Sequence, residues 1–146
     1  MIALIDETID TTRVLSQVHS PLAGATVLFL GTTRAETAGR QTVALDYEAY
    51  RDMAMTTMSE LEMRARQQWT LIDVAIVHRL GHVPVGETSV AIAVSSPHRQ
   101  AAFAAGQWLI DTLKSTVPIW KREQWSDGTE EWVHPGTGSL GREQES

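Results

Sequence analysis

Residues 95–123 read SSPHRQAAFAAGQWLIDTLKSTVPIWKRE, and this stretch sets the architecture of the chain. Ser96 suits a helix N-cap and Pro97 the first helical position. Ala101, Ala102, Ala105, Trp108, Leu109, Thr112 and Leu113 then share one broad face at helical spacing. Val117 precedes Pro118, and a residue before proline avoids the α region, so the helix stops there. Residues 119–125 and 130–133 flank Ser126, Asp127 and Gly128, which predicts a β-hairpin. A long helix thus delivers the chain into a charged strand, WKRE, at the start of a hairpin.

Upstream, residues 74–77 and 88–94 are β-rich runs separated by a turn region at 81–86, and they predict an antiparallel pair. From about Asp52 to Trp69 the period is helical, with Ala54, Met58, Leu61, Ala65 and Trp69 on one face. Met53, Met55, Met58 and Met63 are expected to fill core gaps. Residues 42–50 alternate, with Val43, Leu45 and Tyr47 on one side and Asp46 and Glu48 on the other. Polar residues 33–41 predict a loop. TVLFL at 26–30 is a continuous apolar run and reads as a buried strand. Asp10 is expected to cap a short helix to Val18 with Val14, Leu15 and Val18 inward, and residues 1–5 form a first strand. The order is that of an α+β fold with three helices and mostly antiparallel strands. Residues 1–134 form a single domain, and 135–146 (PGTGSLGREQES) are expected to be a flexible tail.

The 146 residues include no cysteine, 12 Lys and Arg and 18 Asp and Glu, for a net charge of −6. One core is accommodated and a second domain is not. No apolar run approaches the ~20 residues of a membrane-spanning helix. The acidic start lacks the basic region of a secretory signal, so a cytoplasmic protein is expected. The acidic balance argues against nucleic acid as partner. Without cysteine there is no disulfide, thiolate metal site or cysteine nucleophile, and any sulfur chemistry needs sulfur from another molecule. His78 and His82 are four apart, but Gly81 and a strand-end context make a helical metal pair a poor reading, so no metal and no cofactor are expected.

Charge is concentrated. Residues 98–123 carry Arg99, Lys114, Lys121 and Arg122 against Asp111 and Glu123, and both lysines of the protein lie here. Such a cluster on an acidic protein suits a small anionic ligand or an acidic tail; a solvated basic face has the same composition. His98 and Arg99 fall in the first turn of the helix, where cations oppose the dipole and a bound phosphate or carboxylate relieves the conflict. A surface turn with a solvated Arg is the alternative. Lys114 falls in the last turn, where the dipole favours its charge. Proximity of Lys114 and Lys121 would create a lysine suited to nucleophilic or base chemistry, whereas each alone is an ordinary surface side chain. Gly31 ends a strand where backbone approaches a ligand closely, and Arg34 follows with the geometry for a bidentate phosphate contact. His98 and Lys114 are sixteen residues apart on one helix, about 24 Å along its axis. If both serve one site, a second copy of the chain supplies one of them.

FLGTTR (29–34), YEAY (47–50) with Met53, VHRLG (77–81), SSPHRQAAFAAGQWLID (95–111) and LKSTVPIWKRE (113–123) together resemble the large, catalytic subunit of molybdopterin synthase. The resemblance spans roughly residues 3–133. It implies the α/β-hammerhead fold and a homodimer core. At each end of that core it implies one small ubiquitin-like sulfur carrier, making a heterotetramer. The carrier's C-terminal Gly-Gly thiocarboxylate supplies two sulfurs in turn to cyclic pyranopterin monophosphate, which becomes the molybdopterin dithiolene. Carried over by motif, the substrate site comprises Thr32, Thr33, Arg34, His98, Arg99, Lys114, Lys121, Arg122 and Glu123, with Lys114 and Lys121 catalytic. The family draws its His-Arg pair from the other subunit. Two departures stand out: Ala35 follows Arg34 where the family often has Asp or Asn, and the Gly-rich tail lacks the basic helical end of many relatives. A binding-only paralogue and an unrelated phosphate-ester-binding enzyme remain as rival readings.

Overall fold

The computed structural model describes residues 1–133. The tail from 135 lies outside the described residues. Twelve elements follow one another: β1 (Ile2–Ile5), α1 (Thr11–Val18), β2 (Ala25–Thr32), β3 (Glu36–Thr37), β4 (Arg40–Ala49), α2 (Arg51–Gln68), β5 (Asp73–Arg79), β6 (Gly81–Pro84), β7 (Thr88–Ser96), α3 (Arg99–Thr116), β8 (Ile119–Trp125) and β9 (Glu130–Val133).

The first sheet runs β1-β5-β7-β2; β1 pairs parallel to β5 and the other pairings are antiparallel. Both faces of its central strands are covered, which is why β5 and β7 read as apolar runs without polar alternation. Val74, Ile76, Val90, Ile92 and Val94 point to α2 and α3 and join the main core with Met58, Leu61, Leu109 and Leu113. Ala75, Val77, Ala91 and Ala93 point the other way, where Val14 and Val18 of α1 close a smaller core. Small side chains on that face let the short helix sit close to the sheet. Asp10 caps α1 as expected, accepting from the backbone N–H of Arg13 at 3.1 Å. Leu15 lies at the margin of the helix's inner face and is partly exposed.

The second sheet is built on β4, which pairs antiparallel with β6 and with β8; β8 carries β9 through the expected hairpin, and β3 folds back on the start of β4. Its register decides the site. Tyr47 stands opposite Lys121, Leu45 opposite Glu123 and Asp46 opposite Arg122. Cross-strand neighbours share a face, so Lys121 and Glu123 lie on the side of Leu45 and Tyr47, and Arg122 lies on the other.

Several local expectations change. Residues 33–41 and 81–86 contain the short strands β3 and β6, which exist because β4 offers them partners. Val43 is half exposed instead of inward: the register shifts between Thr42 and Ala44, and this bulge turns Thr42 to the Leu45 face while Val43 leaves it. Of the four methionines, only Met58 is fully buried, and Met53 and Met63 are mostly exposed. Ser96 is not the N-cap of α3. It ends β7, paired to Ala25, and its hydroxyl donates to the His98 carbonyl; His98 is the cap residue and Arg99 the first helical residue. Pairing with β2 extends the strand through Ser96, and Gly24 permits it, since a Cβ there would stand 2.3 Å from the Pro97 carbonyl oxygen. The helix ends at Val117 ahead of Pro118, as the sequence implies.

Candidate active site

At the end of β2 the chain passes through Gly31, where a Cβ would stand 2.7 Å from Val90 Cγ1, so the Val90 side chain fills the space that a side chain at 31 would need. Thr32 and Arg34 emerge from this end and line a small cleft with Thr37, Thr42, Leu45, Lys121 and Glu123. Glu123 is buried and accepts from the Thr42 hydroxyl at 2.5 Å, a contact made possible by the β4 bulge. Thr33 is buried below the cleft. Its hydroxyl donates to the Val83 carbonyl at 3.3 Å, its N–H to Glu87 and its carbonyl accepts from Gly86, tying the segment to the turn before β7.

Lys114 approaches from the last turn of α3, half buried, with its charge favoured by the helix C-terminus. It lies close enough to act on the buried ring of His78, on the helix-facing side of β5. Burial pushes His78 down to about 4; a hydrogen bond to the Arg79 carbonyl opposes this, and the Lys114 charge adds to it. Tyr47 meets His78 edge-on, with ring centroids 4.9 Å apart. Since Tyr47 also stands opposite Lys121, one aromatic pair bridges the approaches of the two lysines.

The remaining expected residues sit elsewhere. Arg122 faces away from the cleft, bound to Asp46 at 3.3 Å and Glu130 at 3.1 Å with its guanidinium over Trp132. His98 and Arg99 are exposed at the far end of α3, on an open shelf with Gln100, Phe103, Ala104 and Gln107. A single chain therefore brings together Thr32, Arg34, Lys121 and Glu123, and sets Lys114 beside the same region through Tyr47 and His78. It keeps His98 and Arg99 apart. His78 and His82 do not form a pair, because His82 is exposed and contacts Asp46 at 3.2 Å. The sequence reading missed Thr42, Tyr47 and His78 as site residues. The available signals were the YEAY and VHRLG motifs, each ending a strand next to the basic segment.

An α+β protein with Arg34 and Lys121 lining one small polar cleft, and Lys114 near the buried ring of His78, is the class that this fold and site define. The model of the family described as MoaE protein matches residues 4–116. The molybdopterin synthase catalytic subunit of Bacillus subtilis is 43% identical over 125 residues, covering 86% of this chain and 79% of that protein. The subunit of the same name from Bos taurus is 43% identical over 132 residues, covering 90% and 70%. The crystal structure of molybdopterin synthase from Staphylococcus aureus superposes with a TM-score of 0.84 at 37% identity, covering 89% of this chain and 94% of that one. The chain belongs to the family of molybdopterin synthase catalytic subunits, sulfurtransferases of molybdenum cofactor biosynthesis. Among the described residues no helix is long and apolar enough to cross a membrane.

Proposed function

We propose that this chain accepts the C-terminal Gly-Gly thiocarboxylate of a small ubiquitin-like carrier and passes its sulfur to cyclic pyranopterin monophosphate, twice, to form the dithiolene. The observation that carries this reading is Lys121 beside Arg34 in one small cleft, with Tyr47, its cross-strand neighbour, packed on the His78 ring that the Lys114 charge reaches. The absence of cysteine supports it, because the carrier brings the sulfur.

Lys114 stands where the carrier's tail ends and activates or positions the attacked carbon. Lys121 assists proton transfer or holds a developing anion. Arg34 grips the substrate phosphate from within the chain, and Thr32 shapes the same wall. Thr33 and Glu123 serve from behind: Thr33 fixes the segment that carries Arg34, and Glu123 holds Thr42 at the cleft. His98 and Arg99 complete the phosphate clamp from a second copy, so the working form is a homodimer with a carrier at each end. Arg122 steadies the hairpin edge of the site through Asp46 and Glu130.

The test is single-turnover sulfur transfer. The purified chain is mixed with a thiocarboxylated ubiquitin-like carrier and the pterin substrate, and molybdopterin is quantified beside Lys114→Ala. Product from the wild type and a loss of at least two orders of magnitude in the variant, about 3 kcal/mol of transition-state stabilisation, is the expected result. No product from the wild type within a demonstrated carrier complex moves the reading to a binding-only protein.

A further inference from the structure

Strand β5 ends at Arg79, a buried cation to which the transfer chemistry above gives no task. It follows Ala75 and Val77 on the α1-facing side of the first sheet, where an apolar side chain would avoid the cost of burying a guanidinium. The guanidinium leaves that apolar row and spans the connection from β5 to β7. Nη2 donates to the His82 carbonyl at 3.0 Å and Nη1 to the Glu87 carboxylate at 2.8 Å, so one side chain holds both ends of residues 82–87. Between those ends β6 runs into a tight turn. The Glu87 N–H donates to the Pro84 carbonyl at 3.1 Å, and Gly86 supplies the φ of +86° that such a turn needs. The same loop carries the segment that enters the cleft. Thr33 is bonded to it three times: its N–H to the Glu87 carbonyl at 3.1 Å, its carbonyl to the Gly86 N–H at 2.9 Å and its hydroxyl to the Val83 carbonyl at 3.3 Å. Just beyond the loop, the Ser89 hydroxyl donates to the Gly31 carbonyl at 3.2 Å. Arg34 follows Thr33 directly and lines the cleft with Lys121 and Glu123. Glu87 thus joins the two halves of a brace, since its carboxylate takes the guanidinium and its backbone takes Thr33.

We propose that Arg79 is a positioning residue for anion binding in the cleft: by tying Glu87 to the His82 carbonyl it fixes the loop to which Thr33 is bonded, and so sets where Arg34 meets the substrate phosphate. Strand β6 lies inside the braced loop and pairs with β4, so the brace also holds the Thr33 segment against the strand that supplies Thr42 and Leu45 to the cleft. The consequence for the pterin rests on the sulfur-transfer reading; the brace itself does not.

Glu87 is half-buried at the surface, so the brace can be cut from outside the core. Glu87→Ala removes the acceptor, Glu87→Gln keeps a side-chain oxygen for Nη1, and Arg79→Met removes the donor but keeps an unbranched apolar stem. Backbone amide exchange in the full chain reads the brace. The Thr33 and Gly86 amides are expected to exchange at least about tenfold faster in Glu87→Ala and Arg79→Met, to stay near the wild-type rate in Glu87→Gln, and to leave the amides in the middle of α2 unchanged. Single-turnover transfer with the thiocarboxylated carrier reads the consequence. The half-saturating pterin concentration is expected to rise roughly tenfold in the first two variants and to recover in Glu87→Gln, with the maximal rate within about threefold throughout. Unchanged exchange at Thr33 and Gly86, an acceleration that α2 shares equally, or an unchanged half-saturating concentration overturns the proposal. Wild-type chain that makes no product overturns the sulfur-transfer reading alone, and exchange at Thr33 and Gly86 still decides the brace.

Discussion

At its N-terminal end α3 presents His98 and Arg99 on an open shelf beside the exposed Phe103; at its C-terminal end it carries Lys114, half buried and near the buried ring of His78. Both ends bear cations, but only one is built into the chain's own interior. The helix that joins them is eighteen residues long, about 27 Å at 1.5 Å per residue, so the two ends cannot meet on one small ligand. A buried, preorganised group is suited to chemistry, and an exposed pair at a helix start is suited to gripping an anion that arrives with another surface. In the proposed mechanism the two ends hold different halves of one task, and two copies of the chain unite them.

The contrast can be broken most severely at the C-terminal end. Lys114→Ala is expected to lower single-turnover transfer by two orders of magnitude or more, about 3 kcal/mol, while the melting temperature stays close to that of the wild type. Equal losses in rate and folded fraction would make Lys114 structural. Burial at that end also predicts a pH signature. His78 titrates near 4 when folded and near 6.5 when unfolded, so between those values the unfolded chain binds the extra proton. Stability from this group is complete above pH 6.5 and is lost as pH falls to 4, by up to about 3 kcal/mol. Denaturant melts across pH 4–7 should show that slope in the wild type and a flatter one in His78→Phe; parallel slopes would remove the burial argument.

At the open end, Arg99→Ala is expected to raise the half-saturating pterin concentration roughly tenfold, about 1.4 kcal/mol, and to leave thermal stability alone. A purely rate-based loss would reverse the assignment of the two ends. The smallest effect is expected at Arg122→Gln, where the side chain faces away from the cleft: transfer should stay within about threefold, because its pairs with the half-buried Asp46 and the exposed Glu130 lie on the opposite face of the sheet. A loss as large as that of Lys114→Ala would place Arg122 in the site.

How much of this was legible in the sequence follows the range of the interactions. The α3 stripe, the Ser126–Gly128 turn and the apolar β5 and β7 runs are local patterns, and they mark their elements correctly. Strands β3 and β6 are too short to announce themselves and exist by pairing with β4. Val43 and Thr42 exchange faces because of a bulge that only the β4–β8 register reveals. Ser96 has the right chemistry for a cap but is held in the sheet by β2. At the site, Arg34, Lys121 and Glu123 were marked by motif and meet in one cleft. Tyr47 and His78 were not, since what gives them a role is a contact between β4 and β5 across 31 residues of sequence.

The most direct measurement mixes two impaired variants at a pterin concentration well below half-saturation, where both are slow. Purified Lys114→Ala and Arg99→Ala chains are unfolded together in equal amounts, refolded to exchange subunits and assayed at that concentration for single-turnover transfer with the thiocarboxylated carrier. In a mixed dimer with shared sites, one site carries both substitutions and the other carries neither, so random exchange should restore activity to about a quarter of the wild-type level. A mixture no more active than the average of the two variants would show that each site is completed within one chain, and would contradict the division of labour between the two ends of α3.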